Sequence, residues 1–78
     1  MNMDIQEEIK KIIAEKCDVP VESIKTDTPL AEITDDSLSR VEFLFEIEHL
    51  ISKKISDEDV LEIETVGDLF HVINKLTG

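Results

Sequence analysis

The sequence predicts an all-α bundle of four helices, three long and one short, with a long loop between the first and the second. Three observations carry that expectation. Apolar residues recur at helical spacing in three separate stretches, and helix-capping residues stand before the later ones. Nothing alternates with period two for long enough to make a strand. Residues 1–78 read as a single domain, near the lower limit at which a hydrophobic core holds without disulfides or metals.

The first helix is expected from Met3 to about Lys16. Ile5, Ile9, Ile12 and Ile13 follow the i, i+4, i+7, i+8 pattern of one face, with Glu7, Glu8, Lys10, Lys11 and Glu15 largely elsewhere. Cys17-Asp18-Val19-Pro20 ends it, because a proline disfavours helix at the residue before it. From Val21 to Asp36 the chain reads as irregular, with Val19, Ile24, Leu30 and Ile33 as pins holding a loop onto the core. A loop this long in so small a domain tends to be functional or mobile.

That loop delivers the chain to Thr34-Asp35-Asp36-Ser37-Leu38, and the second helix is expected from Ser37 to Ser52. An aspartate before an apolar run starts a helix because its carboxylate accepts from orphan N–H groups of the first turn. Ser37 then lies at a helix N-terminus, where free N–H groups and the dipole both favour a phosphate ester. At about 100° per residue, Phe43, Leu44, Ile47, Leu50 and Ile51 form one broad apolar face. Leu38, Val41 and Phe45 form a second strip on roughly the opposite side, flanked by Glu42, Glu46 and His49 on one edge and Glu48 on the other. An apolar strip bordered by carboxylates is a docking surface for partners; the alternative is a contact with another helix of the same bundle. Ser56-Asp57-Glu58-Asp59 begins the short third helix, ending near Leu61. Thr65-Val66-Gly67-Asp68 repeats the device for the last, in which Val66, Leu69, Phe70, Ile73 and Leu76 recur at helical spacing.

Composition narrows the function. Nineteen acids against eight bases give a formal charge of −11, which argues against nucleic acid and for basic patches on other proteins. The single Cys17 allows no internal disulfide, and a small, partly buried residue is expected there in preference to a reactive thiol. The N-terminus is too acidic and too short in apolar length for a signal peptide, and no run approaches the roughly 20 apolar residues of a membrane span. A soluble, cytoplasmic monomer is the expectation. Catalytic groups are sparse. His49 and His71 sit in separate helices without a nucleophile at fixed spacing, and Ser37 has no base near it in sequence. Asp35 and Asp36 lack the ligand succession of a calcium loop, so capping is the more economical role and no metal is expected. Ser37 would have to be modified by another protein.

Asp36-Ser37-Leu38 at the start of the second helix resembles the attachment motif of acyl carrier proteins. Val41-Glu42, Ile55 with Asp57-Glu58, and Ile63-Glu64-Thr65-Val66-Gly67-Asp68 are similar to further stretches of that family, and the length and order agree over the whole chain. The resemblance implies an acyl-carrier-like bundle and a protein that is not an enzyme. It implies 4′-phosphopantetheine carried covalently on Ser37, flanked by Asp36 and Leu38, with acyl groups held as thioesters on the arm. It implies docking of a phosphopantetheinyl transferase and of acyl-handling synthase enzymes on the acidic second helix, through Leu38, Val41, Glu42, Phe45, Glu46 and Glu48. It further implies a core that parts to shelter the acyl chain, assigned to Phe43, Ile47, Ile63 and Leu69. Departures from the family pattern are Thr34-Asp35, Ser39-Arg40, His49-Leu50 and Ser56, and they put basic Arg40 and His49 beside the expected docking surface. They leave open fatty acid synthesis or a specialised fatty acid or polyketide pathway. The reading from a different class is an unmodified acidic helical module that binds a basic partner.

Overall fold

The computed structural model describes residues 4–78, and in it the first helix, α1, runs Ile5–Cys17. The expected start at Met3 lies outside the described residues. Asp4 caps α1 by accepting from the Gln6 N–H at 3.0 Å, and Ile9 and Ile13 are fully buried. The helix ends on Asp18, which takes left-handed backbone angles (φ 57°) so that the Asp18 and Val19 N–H groups both reach the Ala14 carbonyl. Aspartate tolerates that conformation better than most residues with a Cβ.

The segment expected to be irregular contains two short helical turns. One is a 3₁₀ turn at Val21–Ser23 and the other, α2, spans Leu30–Ile33 behind Pro29. Neither is long enough to show a period in sequence. The four pins behave as expected: Ile24 and Leu30 are buried, and Val19 and Ile33 pack against the core from partly buried positions.

What fixes this loop is backbone chemistry. The first turn of any helix leaves N–H groups without intrahelical partners. In the last helix, α5 (Val66–Thr77), the Val66 N–H donates to the Thr28 carbonyl at 3.0 Å and the Gly67 N–H to the Thr26 carbonyl at 2.7 Å. In return the Leu30 N–H donates to the Glu64 carbonyl at 2.8 Å. Pro29 and Thr65 thereby pair as an isolated antiparallel bridge, a contact that side-chain periodicity does not reveal. The predicted capping box completes the turn. Thr65 Oγ1 accepts from Asp68 N–H, while Asp68 Oδ2 accepts from both Glu64 and Thr65 N–H at 3.0 Å, which holds its carboxyl below the usual carboxylate range.

The second long helix, α3 (Ser37–Ile51), packs chiefly on α1. Phe43 and Ile47 are fully buried, and Leu44 and Ile51 flank them. Leu50, expected on this face, is 42 % exposed, because it lies at the rim of the face in the final turn. Ser52 closes α3 in the left-handed region (φ 56°). The short α4 (Asp57–Glu62) is capped by Ser56 Oγ, which accepts from Asp59 N–H at 3.1 Å, and none of its side chains is fully buried. It hangs between buried Ile55 and Ile63 and is tied to α5 by Lys75 Nζ on Asp59 Oδ1 at 3.0 Å. That bond holds the Asp59 carboxyl below its ordinary range and the Lys75 ammonium above its own. In α5, Val66, Leu69, Phe70 and Ile73 are buried as the spacing predicts, together with Val72.

Gly67 stands where loop and helix touch. A Cβ there would lie 2.9 Å from Thr26 Cγ2 and 3.0 Å from the Thr26 carbonyl oxygen. Gly67→Ala should therefore lower stability by about 1–2 kcal/mol, overriding the helix-propensity gain of alanine. Urea melts of the two proteins check this; a variant as stable as the parent would mean that the loop yields freely.

Candidate functional site at the start of α3

Two side chains build the entry to α3. Thr34 Oγ1 accepts from the Asp36 N–H at 3.1 Å, holding Asp36 in extended backbone. Asp36 then caps the helix: its Oδ1 accepts from Leu38 N–H at 2.9 Å and its Oδ2 from Ser39 Oγ at 3.4 Å. Ser37, the first helical residue, is left with its side chain exposed, so a group joined to its hydroxyl would stand clear of the fold. Beside it opens a hollow of about 320 Å³, lined by Ala31, Thr34, Asp35, Asp36, Ser37 and Arg40. Arg40, expected beside the docking strip, lines this hollow. It sits one helical turn beyond Ser37 and on the α1 side. Burial pushes the nearby Cys17 thiol above its ordinary range, the Arg40 charge opposing and the Asp36 charge adding.

The second apolar strip is open to solvent. Leu38 is 64 % exposed, Val41 45 % and Phe45 61 %, so the alternative of a contact within the bundle does not hold. The carboxylates around it are not equivalent. Glu42 is exposed, and Glu46 lies 3.8 Å from Lys16 of α1, which offsets part of its charge. Glu48 is half-buried, and its Oε2 accepts from the Ile55 N–H at 2.8 Å. Its carboxylate thus fastens the α3–α4 connection, a role that the seven-residue separation hides in sequence. A second hollow, of about 240 Å³, opens between α3 and α4 over Val41, Leu44, Phe45 and Val60. The four residues assigned to an acyl cavity, Phe43, Ile47, Ile63 and Leu69, are buried in the core cluster, as a cavity formed by parting of the core requires of its resting state.

This arrangement describes a small helical protein with an exposed serine at a helix N-terminus and an exposed apolar helix face beside it. Known proteins give it a family. A family model described as "Phosphopantetheine attachment site" matches residues 7–73, a span that includes Ser37. An acyl carrier protein of Borreliella burgdorferi is 35 % identical over 78 residues, covering 99 % of this chain and 98 % of the relative. One of Picosynechococcus is 32 % identical, covering 100 % and 98 %. One of Chlamydia trachomatis is 30 % identical, covering 94 % and 96 %. The chain belongs to the acyl carrier protein family, which bears 4′-phosphopantetheine and consists of carriers, not enzymes. Membership implies dealings with transferases and synthases. Among the described residues no helix is long and apolar enough to cross a membrane.

Two of the three glutamates around the strip, Glu42 and Glu48, should separate on substitution. Glu48→Ala leaves the Ile55 N–H without its acceptor and should cost about 1–2 kcal/mol of stability. Glu42→Ala should stay within about 0.5 kcal/mol of the parent, as surface changes do. Thermal melts of both variants decide it, and equal losses would remove the structural role of Glu48.

Proposed function

We propose that Ser37 is where this carrier accepts its 4′-phosphopantetheine arm, and that the strip of Leu38, Val41 and Phe45 is where partner enzymes dock. The observation that supports this most is an exposed serine hydroxyl at a helix N-terminus already capped by its neighbour. Asp36 takes the capping bond, so Ser37 remains free for chemistry. Loading is a phosphoryl transfer from coenzyme A. The Ser37 oxygen bonds to the phosphorus next to pantetheine, a pyrophosphate P–O bond breaks, the nucleotide leaves, and a base on the transferase takes the serine proton. The free N–H groups and the dipole at the start of α3 favour the resulting negative charge. Once in place, the arm's thiol holds acyl groups as thioesters.

The cargo on this reading is the acyl chain of a fatty acid or of a related dedicated pathway. The hollow between α3 and α4, with Val41, Leu44, Phe45, Ile55 and Val60 on its walls and Glu48, Lys54 and Asp57 also lining it, is where such a chain would enter. Parting of Phe43, Ile47, Ile63 and Leu69 would enlarge it, with those four giving up packing contacts in exchange for contacts with the chain. The carrier works as a monomer, its exposed strip kept for transient partners. The compartment is the cytoplasm, where Cys17 and the arm thiol remain reduced.

Ser37→Ala should abolish loading and leave the helix content unchanged. Mass spectrometry after incubation with coenzyme A and a broad-specificity transferase reads the result. A mass gain that persists in the variant, or one that maps to Ser39, refutes the assignment. Docking has its own signature. Val41→Glu places an unpaired charge in the contact and should raise the transferase KM about tenfold through faster dissociation. Glu42→Lys should act on the association rate, and added salt should shrink its difference from the parent. Parent-like kinetics for both variants, with helicity retained, would move the docking surface elsewhere.

A further inference from the structure

Arg40 is the one arginine of the sequence. It occupies the first turn of α3, at i+3 from Ser37 and i+4 from Asp36, so it shares a helix face with both. Side chains on a helix lean toward its N-terminus, and a long one lies over the turn that precedes it. For Arg40 that turn is the one that carries Ser37, and the two residues line the same hollow with Ala31 and Thr34 of the loop.

A cation at this end of a helix opposes the dipole, which favours anions there. Nothing in the fold fully answers it. Among the described residues four ion pairs lie within 4.0 Å and none includes Arg40. Asp36, its natural i, i+4 partner, has both carboxylate oxygens engaged by Leu38 N–H and Ser39 Oγ. Asp35 is exposed at the mouth of the hollow. Arg40 is thus a partly buried residue that lines the same hollow as Ser37 and has no carboxylate within 4.0 Å among the described residues.

We propose that Arg40 is the counter-charge for the phosphodiester on Ser37, a positioning residue that holds the root of the arm over the hollow between α2 and α3. The inference rests on Ser37 being the attachment residue. A phosphodiester has two unesterified oxygens that share one negative charge, and a planar guanidinium meets such a pair with two parallel N–H donors. The open hollow leaves room for that approach, and Thr34 and Ala31 give it a floor. With its root held on the α2 side, the arm leaves the protein along a restricted direction. The opposite strip of Leu38, Val41 and Phe45 stays uncovered for enzymes.

The test compares loaded and unloaded protein for the parent, Arg40→Gln and Arg40→Lys, after exhaustive transfer from coenzyme A. Loading should raise the parent's Tm by about 3 °C more than that of Arg40→Gln, with the difference falling in high salt. Arg40→Lys keeps the charge without the fork and should recover only part of the increment. Because there is one arginine, its Nε–H gives one assignable NMR signal, which should shift and exchange more slowly once the parent is loaded. If Arg40→Gln resists loading, this signal in the parent decides the matter alone. A parent that gains no mass overturns the Ser37 assignment and this proposal together. A loaded parent with an unmoved Nε–H signal and the same Tm increment as Arg40→Gln overturns the role of Arg40 and leaves the carrier reading standing.

Discussion

The exchange of backbone hydrogen bonds between residues 26–30 and 64–67 governs this fold. It meets two needs at once. The N-terminus of α5 must place donors that no helix can satisfy internally, and a long loop must be held without a sheet or a disulfide. Thr26 and Thr28 supply the carbonyls, Leu30 returns a donor, and Leu30 itself plugs the core at 1 % exposure. Everything after Leu30 follows from that anchor. Turn α2 is one helical turn long, Thr34 orients Asp36, and Asp36 sets the first residue of α3. Ser37 is placed by a chain of short-range bonds, none of which touches its own side chain.

Helix α3 is the costly element. It carries apolar residues on two sides, and the bundle covers one of them. The uncovered side has a tendency to self-association that the domain must resist. Charge provides the resistance, since every copy carries −11 and like domains repel. The same charge favours partners with basic surfaces, so one property of the composition both keeps copies apart and selects what approaches. Lys16 beside Glu46 and Arg40 beside Ser37 interrupt the acidic field at two points. Ser37 consequently has acidic and basic neighbours together within about one helical turn.

Most of the fold was legible in the sequence because its helices are strongly periodic and its caps use standard chemistry. Ser56 and Thr65 perform the capping their positions announce, and Ile9 and Ile13 are buried with Ile12 packed against the core, although Ile5 at the start of α1 is 38 % exposed. The exposed strip was legible as a second apolar side of α3, but whether another helix covered it depended on packing. Three features were hidden because they depend on distance in space. The bridge between Pro29 and Thr65 involves main chain and leaves no residue pattern. Glu48 reads as a surface acid until the Ile55 N–H is seen against it. Arg40 reads as a neighbour of the strip, although its i+3 spacing from Ser37 was a usable signal that it belongs to the other hollow. Leu50 misled in the other direction, because a helical wheel does not show how far across the apolar face the neighbouring elements reach.

Helix α4 contributes no fully buried side chain, and its attachment is confined to two flanking isoleucines, the Glu48 carboxylate and one lysine–aspartate bond. Its local free energy of opening is accordingly a fraction of that of the whole domain. The protein thus has two thermodynamic layers. Helices α1, α3 and α5 contribute residues to one buried cluster, whereas α4 adds only the partly buried Val60 to it. On the proposed function, a guest chain entering beside Val60 would have to offset only the smaller of these two terms.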